Sequence, residues 1–407
     1  MSVKLKQLAT QRIVITGASS GIGLATARLA AEQGASVLLV SRNEGALSQI
    51  CDEIKSANGH AEYIVGDVGE REDIQRIIDA AQNYFGGFDT WINNAGVGLF
   101  ATAEQTSQED HERLFKTNYW GVVNGSLAAL AHFKKNGGGA LINVGSILSD
   151  IGVTPQGAYS ASKHAVKGFT DALRQEVIHD RANISVTLIK PSAIASPFSD
   201  HAKNFQKGDA RVPPPVYAPE LVAKAILHAA VHPTRELTVG GGGRVMVLFS
   251  KLLPGTSDKV FAATLPEMSK RKFRLRKRKD SLYKPMEGGQ EMSDYQHVHK
   301  HSVYTSAQKH PVVAAGIGVL AIAAAAGLVI ASHRSPSARA FLKRNVRTVA
   351  KTLPFMMPHL SLATVKHTTR SFMNKWAKKT PAPLRKKTIA KEIAHVKHAV
   401  KKRIGSL

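Results

Sequence analysis

The chain has 407 residues, 43% of them hydrophobic, and a net charge of +25. This length and hydrophobic content exclude a small or largely disordered protein, and the lone cysteine, Cys51, excludes an intrachain disulfide. The charge is unevenly distributed, because residues 1–264 hold 25 Lys and Arg against 24 Asp and Glu, whereas residues 265–407 hold 30 against 6. We therefore expect a nearly neutral globular body, residues 1–264, followed by a strongly basic extension.

The first part of the chain alternates between patterns typical of strands and patterns typical of helices. The apolar runs of strand length are RIVITG, SVLLVS, EYIVGD, DTWINN, ALINVGS and ISVTLIKP, and helical patterns such as IGLATARLAAEQG separate them. Such alternation is typical of a parallel sheet covered on both faces. The sequence therefore predicts an α/β fold with a doubly wound, Rossmann-type parallel sheet. TRELTVGG predicts a last edge strand, whereas GRVMVLFSKLL fits either a strand or a helix.

The segment TGASSGIG follows the first predicted strand and opens the first predicted helix. Gly17 permits a tight turn, Gly21 lets the backbone approach a pyrophosphate, and Gly23 lets the helix pack on the strand. The N–H groups at the start of the helix then face the anion. An ordinary glycine-rich turn is the alternative, but the position of the loop favours a dinucleotide site. The predicted contacts are Gly17, Ser19, Ser20, Gly21, Ile22 and Gly23.

The ends of the second and third predicted strands indicate which dinucleotide binds. An acidic residue after the second strand would bind a ribose 2′-hydroxyl, but here the uncharged Ser41 is followed by Arg42. A guanidinium suits a 2′-phosphate, so we predict NADP(H) rather than NAD(H), with a solvated loop arginine as the alternative. Asp67 ends the third strand, where its carboxylate is placed to accept a hydrogen bond from the adenine amino group, and Val68 is assigned to the same pocket.

Tyr159 and Lys163 lie four residues apart in GAYSASKHAVKG, so on a helix both side chains leave from one face. A fixed ammonium beside a phenol favours the phenolate, and it lowers the pKa of tyrosine from its usual value of about 10. The pair is suited to proton transfer, and the alternative is an exposed pair on a helix surface.

Six motifs in the same order resemble the short-chain dehydrogenase/reductase family. They are TGASSGIG, GDV, NNAG at 93–96, KTN at 116–118, Ser146 and Tyr159-x-x-x-Lys163. The resemblance implies the catalytic set Asn118, Ser146, Tyr159 and Lys163. In that set the tyrosine is the general acid or base, the serine binds the substrate oxygen, the lysine binds the nicotinamide ribose, and the asparagine holds a water that links the lysine to solvent. The resemblance also implies cofactor contacts from Asn94, Ala95, Gly96, Tyr159, Lys163, Pro191, Ile194 and Ser196.

The segment after the sixth predicted strand departs from the family pattern. In KPSAIAS, Ser192 replaces the usual glycine and Ser196 replaces the usual threonine, but neither change removes a catalytic group. Residues 197–217 follow, where the family has a mobile lid. The aromatic residues of this lid are Phe198, Phe205 and Tyr217. We therefore expect a lipophilic ketone, aldehyde or alcohol as the substrate.

The basic extension divides into three parts. Residues 265–311 are polar and are interpreted as a linker. Residues 312–332 are uncharged and long enough for a transmembrane helix, although a buried alanine-rich helix or an interfacial segment fits too. Residues 333–407 hold 19 Lys and Arg and end in a basic amphipathic pattern. This pattern favours anionic lipid over nucleic acid as partner.

These features predict a membrane-associated protein with a cytoplasmic catalytic domain and a helical or partly disordered C-terminal extension. A single span conflicts with this, because it cannot leave both the catalytic domain and the basic tail in the cytoplasm. The leading hypothesis is an NADP(H)-dependent oxidoreductase that interconverts a ketone or aldehyde and an alcohol, and the resemblance implies a homo-oligomer. The alternative is a membrane-tethered, non-catalytic scaffold on a retained dinucleotide-binding fold. The alternating His297, His299 and His301 are interpreted as a solvated loop rather than a metal site.

Overall fold

The computed structural model describes residues 3–271 and 279–309. The central sheet comprises β1 (Arg12–Thr16), β2 (Ser36–Ser41), β3 (His60–Val65), β4 (Thr90–Asn93), β5 (Gly139–Val144), β6 (Ile184–Pro191) and β7 (Glu236–Val239). Its strands are all parallel, in the order β3, β2, β1, β4, β5, β6, β7. The predicted doubly wound sheet is confirmed, with TRELTVGG supplying the edge strand β7.

Helices cover both faces of this sheet. They are α1 (Gly21–Glu32), α2 (Glu44–Ser56), α3 (Arg71–Phe85), α4 (Gln108–Phe115), α5 (Gly121–Lys135), α6 (Gly157–His179), α7 (Pro219–Val231), α8 (Gly241–Leu252), α9 (Pro254–Met268) and α10 (Val303–Lys309). The helices α1, α2 and α7 pack on one face of the sheet and form the first hydrophobic core with it. The helices α3, α5 and α6 form the second hydrophobic core on the other face. The segment GRVMVLFSKLL, which the sequence left open, forms most of the helix α8.

Burial on both faces explains the continuous apolar strands. Successive side chains of a strand point to opposite faces, so in β1 Ile13 and Ile15 enter the first core while Val14 enters the second. All three are at least 99% buried. Burying such a side chain stabilises a fold by about 1.5–3 kcal/mol relative to leaving it exposed. The strand order reverses beside β1, between β2 and β4, which leaves a crevice at the carboxyl ends of these strands.

The segment 279–309 packs on the domain, although the sequence placed it in a linker. Leu282 is fully buried, and Val298–His299 pairs in parallel with Val216–Tyr217. The helix α10 lies against β7, where Gln308 donates a hydrogen bond to the carbonyl oxygen of Thr238. The compact unit therefore extends to Lys309 rather than ending at residue 264. The sequence did not predict this packing, because segment 279–309 is polar overall and only a few separated side chains anchor it.

Parts of the predicted extension lie outside the described residues. These parts are the residues 272–278 of the basic run, the predicted span 312–332 and the amphipathic tail 333–407. Across 3–271 and 279–309, no helix combines the length and the apolar character needed to cross a membrane. The same residues contain no cluster of three or more His, Cys, Asp and Glu side chains that could hold a metal ion. The association with membrane lipid stays a prediction.

Candidate active site

The glycine-rich loop after β1 fixes the start of α1 beside the end of β4. Gly17 has a φ of 69°, and a Cβ atom there would lie 2.7 Å from the Cα atom of Ala95, so a larger residue does not fit. At Gly23 a Cβ atom would lie 2.1 Å from the carbonyl oxygen of Gly17. The side-chain amide of Asn94 donates to the carbonyl oxygens of Thr16 and Gly17, at 2.9 and 3.1 Å. The loop thus places a helix N-terminus, a natural anion site, at the crevice.

A continuous cleft runs along this edge of the sheet. The predicted cofactor residues that line it are Gly17, Ser19, Ser20, Gly21, Ile22, Ser41, Arg42, Asp67, Val68, Asn94, Ala95, Gly96, Tyr159, Lys163, Pro191, Ile194 and Ser196. The predicted catalytic Ser146 lines it as well. Two predicted residues do not, because Gly23 packs α1 against the loop and Asn118 lies behind the loop that follows β4. The structure therefore brings most of the predicted set together.

Tyr159 and Lys163 lie on one face of α6, as the spacing predicts. Their side chains are almost completely buried, and the ammonium nitrogen lies 5.8 Å from the centre of the phenol ring. The ammonium donates a hydrogen bond of 2.9 Å to the carbonyl oxygen of Val144. Burial lowers the pKa of Lys163 to about 8, because the site disfavours its charged form.

The structure differs from the expectation that the pKa of Tyr159 is lowered. Burial raises this pKa, and a hydrogen bond with the Ser146 hydroxyl opposes the rise only in part. The physical reason is that removing the phenolate from water costs more than its neighbours recover. Tyr159 is therefore a neutral phenol, and hence a proton donor, at neutral pH.

Ser146 follows β5 and begins a short 3₁₀ turn, Ile147–Ser149. Its hydroxyl oxygen accepts a hydrogen bond from the backbone N–H of Leu148, at 3.1 Å. Its own backbone N–H donates to the hydroxyl oxygen of Ser149, at 3.2 Å. This reciprocal capping fixes the Ser146 hydroxyl beside Tyr159.

Asn118 lies in a π-helical turn, Lys116–Trp120, between α4 and α5. Its side chain accepts a hydrogen bond from the backbone N–H of Val97 at 2.8 Å and donates to the carbonyl oxygen of Val97 at 3.0 Å. It also donates to the hydroxyl oxygen of Ser162, next to Lys163. The amide therefore ties the loop after β4 to α6. Its predicted role in a water relay stays a prediction.

The two residues assigned to the adenosine end lie close together. Asp67 accepts a hydrogen bond of 2.6 Å from Arg113 and one of 3.0 Å from the backbone N–H of Gly69. Although burial opposes the charge, these bonds hold the pKa of the Asp67 carboxyl below its usual value. A nitrogen of the Arg42 guanidinium lies 3.9 Å from the same carboxylate. Sequence reasoning missed Arg113, because it lies within α4 and belongs to no recognisable motif.

The hydroxyl of Thr117 bears on whether the cleft can bind a dinucleotide. Thr117 lines the cleft, and its Oγ1 atom is buried without a hydrogen-bond partner among the described residues. A buried donor without a partner costs free energy, so the position suits contact with a polar group of a bound molecule. Together with the glycine loop and the N-terminus of α1, this hydroxyl fits a dinucleotide.

The far end of the cleft is apolar. The side chains that line it there include Ile147, Leu148, Val153, Phe198, Val212, Pro213, Pro214, Pro215, Met246 and Leu265. The ring of Phe198 lies 5.4 Å from that of Tyr159, centre to centre. Phe205 and Tyr217 do not line the cleft, contrary to expectation, because Phe205 faces solvent and Tyr217 packs in the core.

Comparisons with known proteins agree with this geometry. The family model of the short chain dehydrogenases matches residues 11–207. An uncharacterised oxidoreductase of Bacillus subtilis, YxnA, is 41% identical over 329 residues, which covers 79% of this chain and 92% of that protein. HetN of Nostoc, named as a ketoacyl reductase, is 30% identical over 264 residues, or 62% of this chain and 89% of that protein. The fold matches a short chain dehydrogenase/reductase from Burkholderia phymatum solved in complex with NAD, with a TM-score of 0.57, 22% identity and coverage of 62% of this chain and 96% of that chain.

Proposed function

Since this chain belongs to the short-chain dehydrogenase family and is an oxidoreductase of that type, we propose that it interconverts a lipophilic ketone or aldehyde and its alcohol with NADP(H). One observation carries the proposal. The buried side chains of Tyr159, Lys163 and Ser146 line the same cleft as the N-terminus of α1. The cleft thus contains a proton donor, Tyr159, a hydrogen-bond donor, Ser146, and an anion site, the N-terminus of α1.

The nicotinamide, when bound, supplies or accepts the hydride. In the direction of reduction, the hydroxyl of Ser146 binds the substrate oxygen, which becomes an alkoxide. Tyr159 gives its phenolic proton to that oxygen and is left as a phenolate, which the Lys163 ammonium stabilises. Burial disfavours the phenolate, so the free site holds Tyr159 as the phenol that this step requires.

The apolar walls support a lipophilic substrate, and the name of the Nostoc relative supports a ketone on an acyl chain. Purified full-length protein should therefore oxidise NADPH faster with long-chain 3-ketoacyl thioesters or apolar cyclic ketones than with short charged keto acids. Initial rates over this panel measure the preference. Equal rates for the short charged and the apolar ketones would contradict a lipophilic substrate without affecting the assignment of the cofactor.

The preference for NADP(H) rests on Arg42, and its removal tests this. A hydrogen bond to a charged partner contributes about 1.5–3 kcal/mol, so Arg42→Ala should raise the KM for NADPH roughly 10- to 150-fold. The KM for NADH should rise much less, since NADH has no 2′-phosphate. Arg71→Ala, at an exposed arginine that begins α3, is the matched control and should change neither value. An equal rise for both dinucleotides would contradict the assignment.

The pKa of Lys163 predicts how activity depends on pH. Below about pH 8 the lysine is charged and supports the phenolate, and above it the charge is lost. The kcat/KM for NADPH in ketone reduction, which reports groups of the free enzyme, should therefore fall as the pH rises through about 8. Lys163→Arg keeps a permanent charge, so any activity that remains should not show this fall. A wild-type profile that stays flat to pH 10 would refute the assignment.

A further inference from the structure

Residues 280–293, called here the strap, cross the mouth of the cleft beside the glycine loop. Ser281, Pro285, Met286 and Glu287 line the same cleft as the residues predicted to bind the cofactor. The strap follows the family-matched region, and no motif in the sequence relates it to the site. Its position makes it the outer wall of the adenosine half of the cleft.

The first end of the strap is anchored near α4. The side chain of Leu282 is fully buried, and its carbonyl oxygen accepts a hydrogen bond of 2.9 Å from the guanidinium of Arg113. The hydroxyl of Tyr283 donates a hydrogen bond of 2.7 Å to the carboxylate of Asp110. Arg113 also binds Asp67, so this anchor is continuous with the predicted adenine pocket.

The second end is anchored on the glycine loop itself. The backbone N–H of Gly21, the first residue of α1, donates a hydrogen bond of 2.9 Å to the carbonyl oxygen of Gln290. The backbone N–H of Gly289 donates to the carbonyl oxygen of Ser19, at 2.8 Å. The carboxylate of Glu291 pairs with the guanidinium of Arg28, a residue of α1, at 2.8 Å.

Between its anchors the strap holds the residue that we assign to the 2′-phosphate. The guanidinium of Arg42 donates to the carbonyl oxygens of Ser281 and Tyr283, at 2.5 and 3.4 Å. The next residue, Asn43, donates from its side-chain amide to the carbonyl oxygen of Met286, at 2.7 Å. A guanidinium has five N–H donors, so these bonds orient Arg42 and leave donors for a phosphate.

The cleft that the strap borders also has Ser19, Arg42 and Asp67 among its walls. The strap therefore covers the adenosine half, and its Gln290 carbonyl takes the Gly21 N–H that the sequence assigned to the pyrophosphate. Resting on the proposed function, we propose that the strap is part of the cofactor site. It closes over the adenosine half of NADP(H), orients Arg42 toward the 2′-phosphate, and has to lift before the dinucleotide can exchange.

The match with the relative from Bacillus subtilis extends across the strap. Residues 1–279 precede the strap and residues 294–407 follow it, so a match that spans 79% of the chain begins before the strap and ends after it. The similarity to this relative therefore extends beyond residues 11–207, which the family model matches.

The double variant Leu282→Ala, Tyr283→Phe of the full-length protein loosens the first anchor. We expect it to raise the dissociation rate of NADPH at least tenfold, measured by stopped-flow fluorescence after mixing the complex with excess NADP⁺. The Kd for NADPH should rise more than the Kd for NADH, because Arg42 loses its orientation. The matched control, Leu127→Ala with Tyr84→Phe, makes the same changes at residues that are about half exposed and should leave the rate unchanged.

The second variant, Glu291→Gln, removes only the partly exposed ion pair with Arg28 and tests the same proposal without disturbing a fully buried side chain. Its dissociation rate should rise about two- to fivefold. Unchanged rates in both variants, or tighter binding of NADPH by the double variant, would overturn the role of the strap alone. A wild-type protein that binds neither dinucleotide would overturn the proposed function together with it.

Discussion

Replacing Tyr159 with phenylalanine is expected to lower kcat for ketone reduction by about 10²–10⁴-fold. The variant lacks the hydroxyl that protonates the alkoxide, whereas its ring keeps the contact with Phe198. The loss corresponds to roughly 3–5 kcal/mol of transition-state stabilisation, at about 1.36 kcal/mol per tenfold. Because the glycine loop and Arg42 are unchanged, the Kd for NADPH should change by less than about threefold. A change of that size is less than about 1 kcal/mol of binding free energy.

Single-turnover kinetics with a preformed NADPH complex separate these two effects, since they measure the chemical step without product release. Tyr84→Phe, at an exposed tyrosine outside the cleft, is the matched control and should keep wild-type rates. A Tyr159→Phe enzyme whose rate stays within tenfold of the wild type would show that another group supplies the proton. That result would favour the alternative hypothesis of a non-catalytic scaffold on a retained dinucleotide-binding fold.

The sequence predicted the parts of the site that short motifs encode. The doubly wound parallel sheet follows from apolar runs alternating with helices, because a strand buried on both faces has no polar side. The shared face of Tyr159 and Lys163 follows from helical spacing, and the glycine loop follows from the close approach that its residues permit. These features depend on neighbours in the chain, so a local pattern is enough to predict them.

The features that the sequence missed depend on contacts between distant residues. Arg113 reaches Asp67 from another helix, and Leu282 is buried although its neighbours are polar. The raised pKa of Tyr159 depends on its burial, which a four-residue spacing cannot show. Tyr217 does not line the cleft for a related reason, since an aromatic residue in a segment between helices can also anchor that segment in the core.

A buried ion pair outside the proposed chemistry gives the largest expected effect on stability. Lys190, on β6, is 2% exposed, and its ammonium lies 2.8 Å from the carboxylate of Asp150 and 3.1 Å from that of Glu236. Lys190→Met removes the cation and leaves the buried Asp150 charge without its partner. Removing one member of such a pair costs about 3–5 kcal/mol, so the free energy of unfolding should fall by that amount.

Urea unfolding followed by tryptophan fluorescence, to which the buried Trp91 contributes, measures this loss. Lys134→Met provides the matched control, because Lys134 forms an ion pair of 2.6 Å with Asp180 at the surface, where both side chains are more than 40% exposed. Exposed pairs contribute about 0–1 kcal/mol, so this variant should unfold close to the wild type. Adding Asp150→Asn to Lys190→Met removes the stranded charge and should recover part of the loss. Equal losses in the two methionine variants would contradict a role for burial, since Lys190 is buried and Lys134 is exposed.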